Sequence, residues 1–280
     1  MRNMKRFYVI PNIITAFGLA CGLFVIFKAN LSEPGAGTYE LLYKSALILL
    51  IAGLADLLDG AVARVIHAES DFGVFFDSLA DAITFGVAPS VLLLKALALQ
   101  PKTPLSFLAM VAALFYTISG VLRLVRFNVK SVEAKTSTRA TALHKKIFTG
   151  LPIPAGAASV VSLNLFFHSP LGEEWLDVAD ETRAILLSLG MVAIGYFMIS
   201  KWKFPSLKTF HVKVPSLHLV LLCVISSICL LYGILYAFSL VFVAVSIGYC
   251  LIGIGLNLVK LAIGKKSTTL SDFTPFDDTE

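Results

Sequence analysis

The sequence predicts an all-α protein, a polytopic transmembrane helical bundle of about eight spans with both termini cytoplasmic. Three observations carry that prediction. Of the 280 residues, 57% are hydrophobic and only 15% are charged, and the mean hydropathy is +0.84, which excludes an ordinary soluble domain. The apolar residues fall into runs near or above the roughly 17–25 residues that a spanning helix needs. Basic residues recur at alternate junctions between those runs, as the Lys/Arg bias of short cytoplasmic loops requires.

The first run, about residues 7–27, follows Arg2, Lys5 and Arg6. It has the charge and apolar pattern of a signal peptide, but no small-residue cleavage site precedes the next segment, so it is expected to stay as the first helix. The second run, about 43–66, reaches Arg64, and the third, about 72–99, follows the short polar linker His67–Asp71. A linker that short makes the two spans antiparallel neighbours. Pro89 is expected to kink the third span, because proline removes one helix donor. The fourth run, about 105–127, leads into the basic stretch Arg123–Lys146. The fifth, about 148–168, starts at Pro152 and Pro154, which shape a helix start, and gives way to a loop made acidic by Glu173, Glu174, Asp177, Asp180 and Glu181. The sixth, about 184–200, is followed by Lys201–Lys213. The last two, about 215–235 and 237–262, end at Lys260–Lys266. The tail 265–280 is polar and acidic without an apolar period, and is expected to be disordered.

The net charge of +5 is spread over these short loops and matches attraction to anionic lipid heads, so nucleic acid is not an expected partner. Cys21, Cys223, Cys229 and Cys250 lie inside predicted spans without C-x-x-C spacing, which reads as packing. The five histidines, His67, His144, His168, His211 and His218, show no ligand or triad spacing.

Against this background the segment Asp56–Asp81 stands out, because it sets Asp56, Asp59, Asp77 and Asp81 into otherwise apolar helices. An ionised Asp at bilayer depth costs roughly 2.5–3.5 kcal/mol, so four unpaired ones cost about 10 kcal/mol or more. On a helix, Asp56, Asp59, Gly60 and Ala63 form one stripe and Gly73, Asp77 and Asp81 another, and antiparallel neighbours turn such stripes towards each other. All four carboxylates are then expected within a few ångströms. Oxygen-only ligands favour a hard cation, Mg²⁺ or Mn²⁺, and the lack of His or Cys argues against zinc. Four carboxylates exceed what one octahedral ion usually takes from protein, so two ions bridged at about 3.5–4 Å suit phosphoryl transfer. Gly60 and Ala63 lack bulk, which lets a diphosphate approach the backbone, and Arg64 offers it a planar donor fork. Intramembrane acids also occur in ion pathways, so a membrane cation transporter stays open as an alternative. Inverted repeats or matched broken helices, which many transporters carry, are absent from the pattern.

The spacing Asp56-x2-Asp59-Gly60-x2-Ala63-Arg64-x8-Gly73-x3-Asp77-x3-Asp81 resembles the complete signature of the CDP-alcohol phosphatidyltransferase family. The resemblance implies transfer of a phosphatidyl or related group from a CDP-linked donor to an alcohol, with release of CMP and two divalent cations at the Asp cluster. It implies metal binding by Asp56, Asp59, Asp77 and Asp81, with Asp56 and Asp77 bridging and Asp81 also acting as general base. It assigns Gly60, Ala63, Arg64, Ser70 and Gly73 to the CDP part of the donor, and Pro11-Asn12-Ile13-Ile14-Thr15 resembles the family's P-N-x-x-T element, adding Asn12 and Thr15. A homodimer is a further implication.

Three more stretches resemble the serine-accepting branch of that family: Asp77–Asp81 running into Phe85–Ser90, Arg123-Leu124-Val125-Arg126-Phe127-Asn128, and Gly150-Leu151-Pro152-Ile153-Pro154-Ala155. CDP-diacylglycerol and L-serine are then the expected substrates, with glycerol 3-phosphate, inositol phosphate or choline as alternative acceptors. Arg123 and Arg126 lie three apart at a cytoplasmic helix end, where either one pairs with the serine carboxylate or both only follow the positive-inside rule or bind lipid phosphate. Lys145 and Lys146 carry the same ambiguity. The expected organisation is a catalytic membrane domain over 1–213, two added spans over 214–264, and the tail, in a plasma (inner) membrane protein whose site faces the cytoplasm.

Overall fold

The computed structural model describes residues 9–33, 38–66, 70–136, 150–202, 204 and 236–263, and among them every regular element is helical. In chain order these are α1 (Val9–Leu31), α2 (Thr38–Val65), α3 (Asp71–Asp81), one π turn (Ala82–Val87), α4 (Ala88–Leu97), α5 (Pro104–Thr136), α6 (Ile153–Phe167), α7 (Pro170–Leu176), α8 (Asp180–Ile199) and α9 (Phe238–Ile263). The chain is a multi-pass membrane protein: α1, α2, the stretch Phe72–Leu97, α5, α8 and α9 supply six segments long and apolar enough to cross a bilayer. The run at 215–235 lies outside the described residues, as do the four histidines other than His168, the residues Cys223, Cys229, Lys145 and Lys146, and the tail 265–280.

The fifth expected span is shorter than its apolar run. Gly150 takes a left-handed φ of 86° and Pro152 is extended, so α6 starts only at Ile153 and has 15 residues. At about 1.5 Å per residue that is roughly 22 Å, short of a bilayer core of about 30 Å. A short helix is tolerable here because α6 is central: nine of its residues are buried against α2, α8, α9 and the third span. Lipid-facing polarity therefore never limits its length.

The third span also departs from a plain helix. Its distortion is the π turn beginning at Ala82, ahead of Pro89, which occupies the second position of α4. The acidic segment after His168 is not all loop, since Ser169 caps the short helix α7 by accepting the Gly172 N–H at 3.1 Å.

Two cores hold the bundle. One gathers Phe85, Tyr116, Leu151, Ile153, Leu187 and Met191 among α5, α6 and α8, and the other gathers Val25, Leu42, Ala46, Leu92, Leu165 and Phe238 among α1, α2, α4, α6 and α9. With lipid as apolar as leucine, close backbone approach is what packs such helices. Gly18 of α1 provides it, since a Cβ there would lie 3.7 Å from the Ala52 carbonyl oxygen of α2. Gly22 provides more: its Cβ would stand 2.8 Å from Thr84 Cα in the π turn, which no real side chain tolerates. α1 is thus pressed against both acid-bearing spans.

Candidate active site

The site is built at the junction of α1, α2 and α3. Residues 67–69 of the linker lie outside the described residues, and α3 begins at a well-formed cap where Ser70 Oγ accepts the Gly73 N–H at 3.0 Å. That bond uses an oxygen lone pair and leaves the Ser70 O–H proton to donate elsewhere. Asn12 joins this corner, because a Cβ on Gly73 would sit 3.2 Å from Asn12 Oδ1 and 3.1 Å from Ser70 Oγ. Asn12 and Gly73, 61 positions apart in sequence, therefore share one wall.

One turn along α1, Thr15 Oγ1 lies 2.6 Å from Asp59 Oδ2 and 3.0 Å from the Pro11 carbonyl oxygen. Asp59 is only 4% exposed. Asp56, Asp59 and Asp77 each offer an oxygen within 4.8 Å of the others, a spacing that fits ligands of a common cation centre. Asp81 lines the same cavity as these three, with Thr15, Gly18 and Thr84.

The donor chemistry fits a divalent metal. Among the described residues no Lys, Arg or His forms an ion pair with any of the four acids. Desolvated like charges at this spacing repel, and a hard cation held by Asp56, Asp59 and Asp77 is what offsets them. The cavity is partly open to solvent. Gly60, Ala63 and Arg64 continue α2 beyond it: Gly60 and Arg64 are exposed, Ala63 is half-buried, and a Cβ on Gly60 would meet nothing within 4 Å.

The two arginines of α5 part company. Arg126 donates to the Ile199 carbonyl oxygen at 3.1 Å, tying α5 to the last turn of α8. Arg123 turns inward, within electrostatic reach of Asp81, and its Nε is buried without a hydrogen-bond partner among the described residues. Beside it, Asn128 Nδ2 donates to Ser78 Oγ at 2.9 Å and so fastens α5 to the helix that carries Asp77 and Asp81. The Gly150–Leu151 segment packs under the same end: Gly150 N–H bonds the Trp202 carbonyl at 2.7 Å and Leu151 N–H bonds the Phe197 carbonyl at 3.0 Å.

Sequence reasoning assigned no role to several residues that shape the site. Asn128 and Ser78 both lay inside quoted stretches, but nothing in the pattern paired them. Thr84 reads as one more small residue in an apolar run, yet it lines the cavity. Tyr249 of α9 interacts electrostatically with Arg123, a contact between residues 126 positions apart that no local pattern announces.

Residues 8–199 match the family model described as CDP-alcohol phosphatidyltransferase. Three curated proteins named CDP-diacylglycerol–serine O-phosphatidyltransferase are similar to the chain. The one from Bacillus subtilis is 34% identical over 199 residues, covering 71% of this chain and 91% of its own. The one from Mycobacterium bovis is 31% identical over 250 residues, 89% of this chain and 78% of its own. The one from Helicobacter pylori is 33% identical over 202 residues, 72% of this chain and 73% of its own.

Proposed function

Because the chain belongs to the CDP-alcohol phosphatidyltransferase family, we propose that it transfers the phosphatidyl group of CDP-diacylglycerol to L-serine, forming phosphatidylserine and releasing CMP. The observation that carries this is the trio Asp56, Asp59 and Asp77, an unpaired oxygen cluster beside a fourth carboxylate in one cavity. CDP-diacylglycerol enters from the lipid with its acyl chains left in the bilayer and its cytidine diphosphate at the polar mouth.

Asp56, Asp59 and Asp77 would hold Mg²⁺ or Mn²⁺, two ions in all, with Asp81 as a further ligand of the second. When bound, the ions supply charge neutralisation of the diphosphate and of the departing CMP. The chain's own residues do the rest. Thr15 fixes the Asp59 carboxylate by a 2.6 Å contact, so its free oxygen points in one direction. Asn12, Ser70 and Gly73 form a narrow wall for the donor, with Gly73 keeping the backbone accessible. Gly60 and Ala63 leave room for the nucleotide, and Arg64 gives it a guanidinium. Asp81 takes the proton of the serine hydroxyl while that oxygen bonds the lipid-side phosphorus and the bond from phosphorus to CMP breaks.

Of the two arginines, Arg123 is the better partner for the serine carboxylate. Its Nε is buried and unpartnered, whereas Arg126 is committed to Ile199. Arg64, Arg123 and Arg126 sit at the same end of the bundle as the acids, and the Lys/Arg bias of cytoplasmic loops supports a cytoplasmic position for that end and for both termini, with the plasma (inner) membrane as the proposed location. Residues 1–213 form the catalytic unit and 214–264 add two spans. The homodimer implied by the family resemblance is checked by the mass of the protein in detergent.

The test is CMP release from CDP-diacylglycerol by purified protein with Mg²⁺ or Mn²⁺, comparing L-serine, glycerol 3-phosphate, inositol 1-phosphate and choline. Serine-dependent release supports the proposal. Release with another alcohol keeps the chemistry and moves the acceptor, and no release with any of the four overturns it.

A further inference from the structure

Asp81 is the last residue before the π turn, and what holds that turn is not part of the chemistry described so far. In it the Ala88 N–H reaches back five residues to the Ile83 carbonyl, whereas the Ala82 N–H still bonds Leu79 and Ser78 in the ordinary way. One extra residue in a turn rotates everything before it by about 100° relative to everything after it. The azimuth of Asp81 is therefore set against the buried face of α4 by this turn alone.

The reason for the turn lies in Pro89. In an α-helix the Phe85 carbonyl would accept the N–H of residue 89, but proline has none and its ring crowds that carbonyl. A buried carbonyl without a donor is costly, so something else must bond it. Tyr116, fully buried on α5, donates its hydroxyl to the Phe85 oxygen at 2.8 Å. Its neighbour Thr117 donates to the Gly86 carbonyl at 3.2 Å and lies 2.8 Å from Ser90 Oγ. From the opposite side Thr84 donates to the Gly18 carbonyl of α1 at 3.4 Å. The turn is gripped between α1 and α5.

We propose that Tyr116 is a positioning residue: its hydroxyl stands in for the N–H that Pro89 lacks and locks the π turn in the register that orients Asp81 in the cavity beside Asp56, Asp59 and Asp77. Tyr116 touches neither substrate nor metal. The proposal rests on the base role given above to Asp81, and its test separates the two.

The experiment compares wild type, Tyr116→Phe, and Tyr116→Phe combined with Pro89→Ala, each as the full chain in detergent or nanodiscs. Hydrogen exchange of the backbone over residues 82–90 is measured on metal-free protein, together with Mn²⁺ binding by EPR, thermal midpoint, and kcat and KM for serine and CDP-diacylglycerol. Tyr116→Phe is expected to raise exchange over 82–90 at least about tenfold and to lower kcat about 10- to 100-fold, the range for loss of a supporting partner at a reactive site. Both KM values and the Mn²⁺ affinity of the trio are expected to stay within about threefold. Pro89→Ala returns an N–H to Phe85 in the plain α register, so the double variant is expected to recover thermal midpoint and exchange protection but not kcat. A structural prop would behave differently: activity would return with stability, and that result overturns the proposal, as does unchanged kcat or unchanged exchange in Tyr116→Phe. If exchange rises as expected but wild type releases no CMP with any acceptor, the base role of Asp81 fails and the grip on the turn stands.

Discussion

The cleft between α1, α2 and α3 and the seam between α6 and α9 both bury polar side chains at membrane depth, and they treat them in opposite ways. In the seam the hydroxyls of Ser159, Ser162 and Ser246 have partners: Ser162 Oγ lies 2.5 Å from Ser246 Oγ, Ser159 Oγ lies 3.3 Å from Cys250 Sγ, and Ser246 also reaches the Phe242 carbonyl at 2.7 Å. In the cleft four carboxylates share one cavity, and among the described residues only the Thr15 hydroxyl on Asp59 is a side-chain donor to any of them. Polar groups that satisfy one another hold helices together. Four carboxylates that share one cavity without a cation of the chain's own repel one another, and a cation from outside the chain offsets that repulsion.

The largest effect expected from this contrast follows Asp77→Asn. Loss of a shared ligand from the trio removes metal binding, and metals contribute several kcal/mol each to the transition state, so CMP release falls at least about 10⁴-fold at 1.36 kcal/mol per tenfold. The same variant, stripped of metal, is expected to melt at a higher temperature than metal-free wild type, because one uncompensated buried charge has gone. A metal-free melting point that drops would break the comparison, for it would mean that Asp77 is already satisfied by the protein. Next comes Asp81→Asn, for which kcat falls about 10²- to 10⁴-fold, the usual contribution of a general base, while Mn²⁺ binding to the trio persists. Equal loss of metal from both variants would merge Asp81 with the trio.

How much of this could be read from the chain depends on what each feature answers to. The four acids and their stripes were legible because helical period alone decides which residues share a face, and α2 and α3 obey it. The π turn after Asp81 was not, since the residues around it, Pro89, Tyr116 and Gly22, lie on three different helices. Period also put Arg123 and Arg126 on one face, but it knew nothing of the Ile199 carbonyl that claims the second. Hydropathy gave α6 a full span because the run from 148 to 168 is apolar throughout, whereas Gly150 takes a positive φ and Pro152 is extended, so the helix starts only at Ile153. Local chemistry is written locally; what one helix does to another is not.

The arginines sharpen the contrast at a smaller scale, since Arg126 is satisfied and Arg123 is not. A charge-assisted hydrogen bond contributes about 1.5–3 kcal/mol, so Arg123→Ala is expected to raise the KM for serine about 10- to 100-fold with the KM for CDP-diacylglycerol nearly unchanged. Arg126→Ala should leave the serine KM within about threefold and lower the thermal midpoint instead, through the lost tie to α8. Steady-state kinetics with serine varied at saturating donor decides it. If Arg126→Ala carries the serine effect, the assignment of the two arginines is reversed.

The smallest effect belongs to the seam. Ser246→Ala removes the bond to Ser162, but Ser162 Oγ keeps the Ser159 carbonyl at 3.1 Å as an acceptor, so no buried donor is stranded. Interhelical hydrogen bonds in membrane proteins average about 0.6 kcal/mol and reach about 1.7 kcal/mol at most. Ser246→Ala and Ser162→Ala are each expected to cost within that range in reversible unfolding. The double variant should cost hardly more than either single, because the two hydroxyls serve one contact. Throughout, kcat and Mn²⁺ binding should match wild type. A seam variant that loses metal binding would show that the hydroxyls of α6 and α9 help to hold the acid cleft in shape, and the two regions would then be one cooperative unit in which satisfied polar groups position the unsatisfied ones.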